Sequence, residues 1–403
     1  MKILFISTWF PFPPDNGSKL RAYYLIKALS HSHEVTVIAF KPESQSGESE
    51  TIFQVGGPVE VLGVPEDPFR YVGLPRIAKY ISPLPLSAWP SSLMRETVSS
   101  AAFSQHWDAI VAFQIPAARY ALIPSCKARI FDMDNSLSYM TRERAAEARS
   151  IVSRLMAQVS LLKSSRYEAR MASQFQACTV VSSLEVEFIR DLVGGTSCRV
   201  ELSENGVDCV TNKPGLAVRQ KNALVYNGSL TYSANYDAMR WFLADIYPLI
   251  RQGMPDVSLS ITGSIHGVKL AGLALDASTT LTGHVADVRI PVAKAAICVI
   301  PIRQGSGTRL KILEAMALGT PVVSTSKGAE GLEVVAGRHL LIADTARDFA
   351  NNVTSLLGDP ALRERLSSNA RSLVKERYDW QLIGKRFVSM VEESVFQSTD
   401  VSS

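Results

Sequence analysis

Cysteines and histidines are few in this sequence, and neither forms a recognisable pattern. The five cysteines are odd in number, widely spaced and mostly embedded in apolar runs: Cys126, Cys178, Cys198, Cys209 and Cys298. Disulfide frameworks and metal sites place cysteines at short, repeated intervals, so we interpret these five as buried free thiols. The six histidines also lack metal-ligand spacing. Both absences argue against a bound metal and favour a reducing, cytoplasmic environment.

Long hydrophobic runs are also missing. No uninterrupted apolar stretch approaches the roughly 20 residues that a helix needs to cross a bilayer. The apolar start at residues 3–7 resembles the opening of a signal peptide, but Pro11, Pro13 and Pro14 cut it short and no small-residue cleavage site follows. We therefore expect a cytoplasmic protein that has no membrane-spanning segment.

A strong excess of one charge is absent as well. The net charge of +4 over 403 residues is too small for a nucleic-acid-binding protein, which carries a basic patch or stripe. A local excess lies in residues 68–170, which hold fourteen Lys/Arg against seven Asp/Glu. Within it, residues 142–170 mix basic and apolar side chains. This pattern is typical both of a helix resting on anionic lipid and of a solvated helix over a core, so a peripheral contact with the inner face of the membrane stays open.

The sequence does contain a repeated alternation of strand and helix patterns. A chain of 403 residues exceeds the roughly 250 to 300 residues at which one core stops growing. Short runs rich in β-branched residues occur at 3–7, 35–40, 109–113, 129–132 and 178–182, and again at 224–228, 257–263, 278–283, 296–301, 321–325 and 339–343. Alternation with helical stretches predicts parallel sheets covered on both faces. We predict an α/β fold of two Rossmann-like, doubly wound domains facing a central cleft: 1–205, completed by a helix at 381–396, and 206–380.

Ligands of open α/β sheets bind beyond the carboxyl ends of the strands, and the loop at residues 305–308 is the most informative one. It is rich in glycine, which permits close backbone approach, and it leads into a predicted helix whose first N–H groups favour an anion. Arg309 and Lys311 add positive charge, so a diphosphate is the expected ligand. Glu314 is placed to accept hydrogen bonds from the hydroxyls of a ribose. The predicted contacts in this block are Gly305, Ser306, Gly307, Thr308, Arg309, Leu310 and Glu314.

Residues 313–323 resemble the second half of the motif E-G-F-G-L-P-x-L-E-A-M-A-x-G-x-P-V-V of glycosyltransferase family 4. The resemblance implies a GT-B fold and transfer of a sugar from a nucleotide sugar, UDP- or GDP-linked, with retention of configuration and without a metal or cofactor. In it, Glu314 corresponds to the glutamate that binds the ribose. Ser306 stands where the family has a glutamate that attends the donor sugar. The implied acceptor is a glycan, a lipid-linked saccharide or a small molecule.

A second loop, Asn227-Gly228-Ser229, follows the first predicted strand of the second domain. The family has G-R-L-x-x-x-K here, with Arg and Lys neutralising the donor diphosphate. Ser229 and Ala234 occupy those two positions. We therefore assign the stabilisation of the leaving diphosphate to Arg309 and Lys311. The resemblance is to a sub-branch of bacterial exopolysaccharide-type transferases, which combine a G-T-R-L-K-I-L-E loop with this same loss.

Three weaker matches complete the resemblance. Gly17 and Ser18 stand where the family's opening P-x-x-x-G-G approaches the donor, and Asp134 stands near a strand end where many members have a histidine on the acceptor side. The turn Gly283-His284-Val285 resembles a G-x-V turn whose backbone contacts the base. We assign Asp134 a catalytic role and the other residues donor contacts. Asp134 also belongs to an Asp-x-Asp sequence, which binds metal in the other major transferase fold, but we predict no metal here.

Two alternatives remain open. One is a GT-B epimerase acting on a nucleotide sugar, although its proton-transfer groups are not evident in the sequence. The other is a catalytically silent homologue that binds a nucleotide sugar, which the missing glutamate and the missing Arg/Lys pair favour. Neither the oligomeric state nor the identity of the acceptor follows from the sequence.

Overall fold

The computed structural model describes residues 1–41, 57, 59–69, 82–146, 148, 150–305, 307 and 309–400. The chain divides into two compact units, one formed by Met1–Glu204 with Ile383–Ser403 and the other by Asn205–Leu382. Among the described residues, every helix is too short or too polar to span a bilayer.

The first unit alternates strands and helices from its start. Its elements are β1 (Lys2–Ser7), α1 (Gly17–Ser30), β2 (Glu34–Phe40), β3 (Val59–Val64), α2 (Ser92–Ser104), β4 (Trp107–Phe113), α3 (Ile115–Ala118), β5 (Cys126–Asp132), α4 (Leu137–Ala146), α5 (Ile151–Ala172), β6 (Ala177–Val180), α6 (Ser183–Leu192) and β7 (Arg199–Leu202), with short 3-10 helices at Leu86–Ala88 and Arg119–Leu122. The strands form one parallel sheet in the order β3-β2-β1-β4-β5-β6-β7.

The central strands of this sheet are apolar on both sides. Ile3, Leu4, Phe5 and Ile6 of β1 are all fully buried, as expected of a strand covered by helices on both faces. From β1 the chain builds outward to β3 on one side and then returns to β4 on the other. The carboxyl edge between β1 and β4 is therefore the switch point at which ligands bind in open sheets.

The second unit repeats the plan. Its elements are β8 (Ala223–Asn227), α7 (Ser233–Trp241), a π-helical turn (Phe242–Ile246), α8 (Tyr247–Gly253), β9 (Ser258–Thr262), a 3-10 helix (Leu270–Gly272), β10 (Thr279–Gly283), α9 (Arg289–Lys294), β11 (Ile297–Ile300), α10 (Leu310–Ala317), β12 (Val322–Ser324), β13 (Leu341–Ile342), α11 (Ala346–Gly358), α12 (Pro360–Arg377) and α13 (Trp380–Asp400), which continues into the first unit. The parallel order is β10-β9-β8-β11-β12-β13. Its switch point lies between β8 and β11.

Helix α10 carries the motif and is held by its apolar side. Ile312, Leu313 and Met316 are fully buried, so the opposite side, with Lys311 and Glu314, turns toward the loops. Gly319 ends the helix with a φ of +73°, a conformation that favours glycine. The predicted α/β architecture of two parallel sheets with helices is confirmed.

Candidate functional site

Asn227 and Glu314 meet at the switch point of the second unit. Asn227 is the last residue of β8 and is buried. Its Nδ2 donates a hydrogen bond to Oε2 of Glu314 over 3.0 Å. Glu314 lies on α10, which follows β11, the neighbour of β8 in the sheet. The parallel pairing thus brings together two residues that the sequence assigned to donor binding.

Lys311 places a positive charge against the loop that follows β8. Its Nζ donates to Oη of Tyr226 at 3.0 Å and to Oδ1 of Asn235 at 2.9 Å. A Cβ at Gly228 would lie 2.7 Å from that Nζ, so a larger residue there would displace the ammonium. Gly228 begins the loop in which the family's Arg/Lys pair is missing. Lys311 reaches this loop from the opposite side, and its partners Tyr226 and Asn235 were not predicted.

Burial shifts the pKa values of both α10 side chains. It raises the pKa of Glu314 to about 7, although the charge of Lys311 and the hydrogen bond from Asn227 act in the opposite direction. It lowers the pKa of Lys311 to about 7, helped by the charge of Arg309 and opposed by that of Glu314. The site therefore holds an acid and a base that both titrate near neutrality. An anion bound beside them would favour the protonated form of each.

Arg309 fastens the glycine-rich loop. Its guanidinium is buried and donates from Nη2 to the carbonyl oxygens of Gly305 at 2.6 Å and Lys327 at 3.3 Å. Gly305 and Gly307 have φ values of +94° and +95°, which glycine adopts without strain. The sequence suggested a positive charge facing a diphosphate, whereas the structure shows Arg309 bound to the loop's own backbone. Ser306 and Thr308 lie outside the described residues.

The predicted helix after this loop begins at Leu310. Leu310 is half-buried. Arg303, at the start of the loop, bonds through Nη2 to both carboxylate oxygens of Asp237 and lies over the ring of Trp241, 4.7 Å from its centroid. Sequence reasoning did not identify this anchor, because Asp237 and Trp241 lie on α7.

The loops after β8, β9 and β10 are joined to one another. Gly263 has a φ of +109°, and a Cβ there would approach the backbone nitrogen of Ser229 to 2.6 Å. Its own N–H donates to the carbonyl of Gly283 over 2.9 Å. Gly283 ends β10, and it is followed by an exposed His284 and a half-buried Val285. Asn227, Gly228, Ser229, Gly283, His284 and Val285 therefore share one edge of the sheet.

The first unit has its own polar network at the β1/β4 switch point. Ser18 Oγ donates to Oδ2 of Asp134 over 2.7 Å, and Gln114 Nε2 donates to both Ser18 Oγ and Asp134 Oδ2 at 3.0 Å. Gly17 precedes Ser18 as the first residue of α1. Gln114 and Asp134 have φ values of +67° and +55°. Positive φ at non-glycine residues costs of order 1–3 kcal/mol and concentrates at functional sites.

Asp134 is almost fully buried within this network, so its carboxylate orients Ser18 and Gln114. Beneath it, Asp132 forms a fully buried ion pair with Arg21, with Nη2 and Oδ2 2.9 Å apart. Arg21 also donates from Nη1 to the carbonyl of Glu204 at 3.1 Å. The first carboxylate of the Asp-x-Asp sequence is thus engaged by an arginine.

Part of the second unit matches a known family. Residues 221–359, which include the whole β8/β11 site, match the family model described as Glycosyl transferases group 1. A relative described as an uncharacterized 44.6 kDa protein in the cps region of Klebsiella pneumoniae is 27% identical over 42% of this chain and 45% of its own. A glycogen synthase of Mycobacterium tuberculosis is 28% identical over 48% of this chain and 49% of its own. The chain spans about half the length of these two curated relatives.

Solved structures resemble the chain over its whole length. The sucrose-phosphate synthase of Thermosynechococcus elongatus superimposes with a TM-score of 0.72 at 16% identity, and each chain is covered completely. Anabaena HepE, crystallised with UDP and glucose, has a TM-score of 0.67 at 16% identity, with 98% of this chain and 100% of that chain covered. The chain therefore has the fold of the GT-B glycosyltransferases, and its second unit carries the group 1 glycosyl transferase sequence pattern.

Proposed function

We propose that this protein is a glycosyltransferase that moves a sugar from a nucleoside diphosphate sugar to an acceptor. The observation that carries the proposal is the group at the β8/β11 switch point, where Asn227 holds Glu314 and Lys311 lies against Gly228. The group 1 family model spans all four residues. Glu314 can accept hydrogen bonds from ribose hydroxyls, and Lys311 can neutralise phosphate. Their proximity matches the adjacent ribose and diphosphate of a nucleoside diphosphate.

In this proposal the donor binds along one edge of the second unit. Its diphosphate lies at the loop 305–309 and the first N–H groups of α10, where backbone donors favour an anion. Glu314 accepts hydrogen bonds from the ribose, and the base lies near Gly283, His284 and Val285. UDP or GDP is the proposed nucleotide. The structural neighbour HepE was crystallised with UDP and glucose, which supports UDP as the first one to test.

The charge that develops on the leaving diphosphate needs a stabilising cation. Lys311 supplies it through its ammonium, and Arg309 contributes by holding the loop that receives the phosphates. We propose that the reaction retains the configuration of the transferred sugar and uses neither a metal nor a cofactor. Membership in family 4 and a cytoplasmic location belong to the same proposal.

The acceptor is assigned to the first unit. Ser18, Gln114 and Asp134 form a buried-to-surface network at its switch point, and we propose that Asp134 orients the groups that contact the acceptor hydroxyl. Glycans, lipid-linked saccharides and small molecules all offer such a hydroxyl.

The test is nucleotide binding and turnover with matched variants. Thermal unfolding is followed with UDP, GDP and their sugars, and transfer and donor hydrolysis are measured with the nucleotide that binds. Glu314→Ala should weaken binding about 10- to 100-fold, the loss of one or two charged hydrogen bonds, whereas Glu364→Ala on the exposed side of α12 should leave it unchanged. Equal binding by both variants would remove the proposal. Epimer formation without an acceptor, or binding without any turnover, would replace it by one of the alternatives.

A further inference from the structure

Cys178 and Cys198 bring two free thiols into contact inside the first unit. Their Sγ atoms lie 3.2 Å apart, although the two residues are 20 positions apart in the chain. Cys178 lies on β6 and is fully buried, whereas Cys198 immediately precedes β7 and is 9% exposed. Cys126, by contrast, directs its thiol to the carbonyl oxygen of Ala128 at 3.3 Å. The pairing of β6 with β7 has therefore built a dithiol from two cysteines that looked unrelated in the sequence.

The register of the sheet places both thiols on the same face. Cys178 pairs with Val200 of β7, and Cys198 stands two residues before Val200 in the chain. Side chains two positions apart along a strand point to the same face of a sheet. All three residues belong to one apolar core cluster. The two thiols are therefore diagonal neighbours across the β6/β7 pair.

The turn between α6 and β7 allows the thiols to approach further. Their separation exceeds the length of a disulfide bond by about 1.2 Å, so a bond requires a small movement. Residues 194–197 are exposed, and Gly195 has a φ of +84° with open space around the position of a Cβ. Exposed turns with few packed neighbours open at low cost in free energy. Cys198, at the end of this turn, is therefore the thiol that moves and that a reagent meets first.

The two thiols also differ in acidity. The hydrogen bond with Cys178 lowers the pKa of Cys198, and the positive charge of Arg199 acts in the same direction against the effect of burial. Burial raises the pKa of Cys178 well above its usual range. Since the thiolate is the reactive form in thiol–disulfide exchange, Cys198 is the attacking group. Cys178 is left to react with the first product.

We propose that Cys178 and Cys198 form a redox site that reacts with low-molecular-weight disulfides and fastens β7 to β6. The thiolate of Cys198 attacks one sulfur of the reagent, which releases one thiolate and leaves a mixed disulfide on Cys198. Cys178 then attacks Sγ of Cys198, and its thiol proton passes to the second departing thiolate. The reagent is reduced to two thiols, and the protein is oxidised by the loss of two hydrogens. Excess thiol reverses both steps.

The bond would act at the edge of the first sheet. β7 is the last strand in the order of that sheet, and in the described part of the chain it pairs with β6. An edge strand of four residues opens more readily than a central one. A disulfide that closes a loop of about 20 residues disfavours the open state, because it restricts the chain there. Oxidation should therefore protect the amides of Arg199–Leu202 from hydrogen exchange.

The experiment treats the freshly reduced full chain with oxidised glutathione and then labels the remaining thiols under denaturing conditions. The wild type should lose two of its five thiols, and peptide mass mapping should place one bond between Cys178 and Cys198. Cys178→Ala should stop at the mixed disulfide and carry glutathione on Cys198. Cys198→Ala should keep its remaining thiols. Cys126→Ala, which removes a half-buried cysteine outside the pair, is the matched control and should form the bond as the wild type does.

Retention of all five thiols by the wild type would overturn the proposal, and so would an equal loss of thiols in Cys198→Ala. A glutathione adduct that persists on Cys198 of the wild type would also overturn it, because Cys178 would then fail to displace glutathione. Circular dichroism checks that the variants fold, and mass mapping of the wild type needs no variant.

Hydrogen exchange of the oxidised and reduced wild type tests the effect on the strand. Exchange at Arg199–Leu202 should slow at least about tenfold on oxidation, and equal exchange would show that the bond does not fasten β7. Neither measurement uses a nucleotide, so a failure of this proposal and a failure of the proposed sugar transfer are separate results.

Discussion

The side-chain amide of Asn227 donates a hydrogen bond to the carboxylate of Glu314 over 3.0 Å, and so joins the end of β8 to α10. This contact and the charge of Lys311 act against the burial that raises the pKa of Glu314 to about 7. The carboxylate that the proposed ribose requires is thus maintained by two neighbours. Substitution of Asn227 or of Lys311 removes each of these two contributions separately.

Asn227→Ala should raise the pKa of Glu314 further, because the hydrogen bond that favours the carboxylate is lost. Nucleotide binding should then be close to normal at about pH 9 and weakened at about pH 7. Isothermal titration calorimetry with UDP across this pH range measures the dissociation constant. Asn212→Ala, in the polar segment before β8, is the control, and a variant whose binding profile matches the wild type would contradict the role of Asn227.

Lys311→Met should weaken diphosphate binding by removing the ammonium beside Gly228. Protonation of Glu314 should weaken binding below about pH 7. Between about pH 9 and 7 the wild type should bind UDP more tightly as the pH falls, since burial lowers the pKa of Lys311 to about 7 and an anion favours its protonated form. The variant should lose most of this pH dependence. A nucleoside, which has no phosphate, should bind both proteins equally, and a preserved pH dependence in the variant would argue against Lys311.

Glu314 and Lys311 should also make the free energy of unfolding depend on pH. The folded pKa of Glu314 is raised from 4.5 to about 7, so its contribution to the free energy of unfolding is full below pH 4.5 and is lost as the pH rises to 7. The pKa of Lys311 is lowered from 10.5 to about 7, so its contribution is full above pH 10.5 and is lost as the pH falls to 7. The free energy of unfolding measured in urea should therefore have a relative minimum near pH 7. The double variant Lys311→Met with Glu314→Gln should flatten this minimum.

Gly263→Ala should destabilise the second unit. The φ of +109° and the 2.6 Å approach of a Cβ to the backbone nitrogen of Ser229 combine backbone strain with a steric clash, for a cost of about 2–4 kcal/mol. Gly253→Ala, at the end of α8 with open space around its Cβ, is the matched control and should be neutral or slightly stabilising. Urea unfolding of both variants measures the difference, and equal midpoints would contradict it.

Arg21→Met should destabilise the first unit by about 3–5 kcal/mol, because it leaves the fully buried carboxylate of Asp132 without its cation. Replacing both residues, Arg21→Met with Asp132→Asn, should recover part of this loss. Arg251→Met breaks a solvent-exposed pair with Asp276 and should cost less than about 1 kcal/mol. Differential scanning calorimetry compares the stabilities of Arg21→Met, the double variant and Arg251→Met. A small loss of stability in Arg21→Met alone would contradict the prediction and show that water reaches Asp132.

Asp134→Asn should lower turnover without changing nucleotide binding. Asparagine tolerates the positive φ, but it removes the charge that organises Ser18 and Gln114. An increase in KM for the acceptor, with the UDP dissociation constant unchanged, is the expected result. Weakened UDP binding in this variant would place Asp134 with the donor instead.

Local patterns in the sequence were sufficient for the architecture. The alternation of buried strands with helices repeats twice along the chain, and each element depends mainly on neighbours in sequence. The predicted α/β class is therefore confirmed, and the group 1 match covers the block from which the donor site was predicted. The roles assigned to Gly17, Ser18, Asp134, Glu314 and the loop residues stay predictions.

What the charged side chains contact could not be read from the sequence. Lys311 and its partner Asn235 are 76 positions apart, and Arg21 and Asp132 are 111 apart. The sequence indicated that Arg309 and Lys311 were cations near a glycine-rich loop, but it contained no information on which way each turns. Likewise, the basic and apolar residues of α5 allowed both a solvated helix over a core and a helix on anionic lipid, and the sequence did not show which side of the helix packs.

The sequence by itself determined where strands and helices form and which loops end at a carboxyl edge, because hydrophobic periodicity and glycine act over a few residues. Only the tertiary structure decided that Arg309 binds its own loop, that Lys311 reaches Gly228, and that Ile151 and Leu155 of α5 are exposed. These outcomes depend on contacts between segments that are distant in the chain, and such contacts exist only after the sheets have assembled.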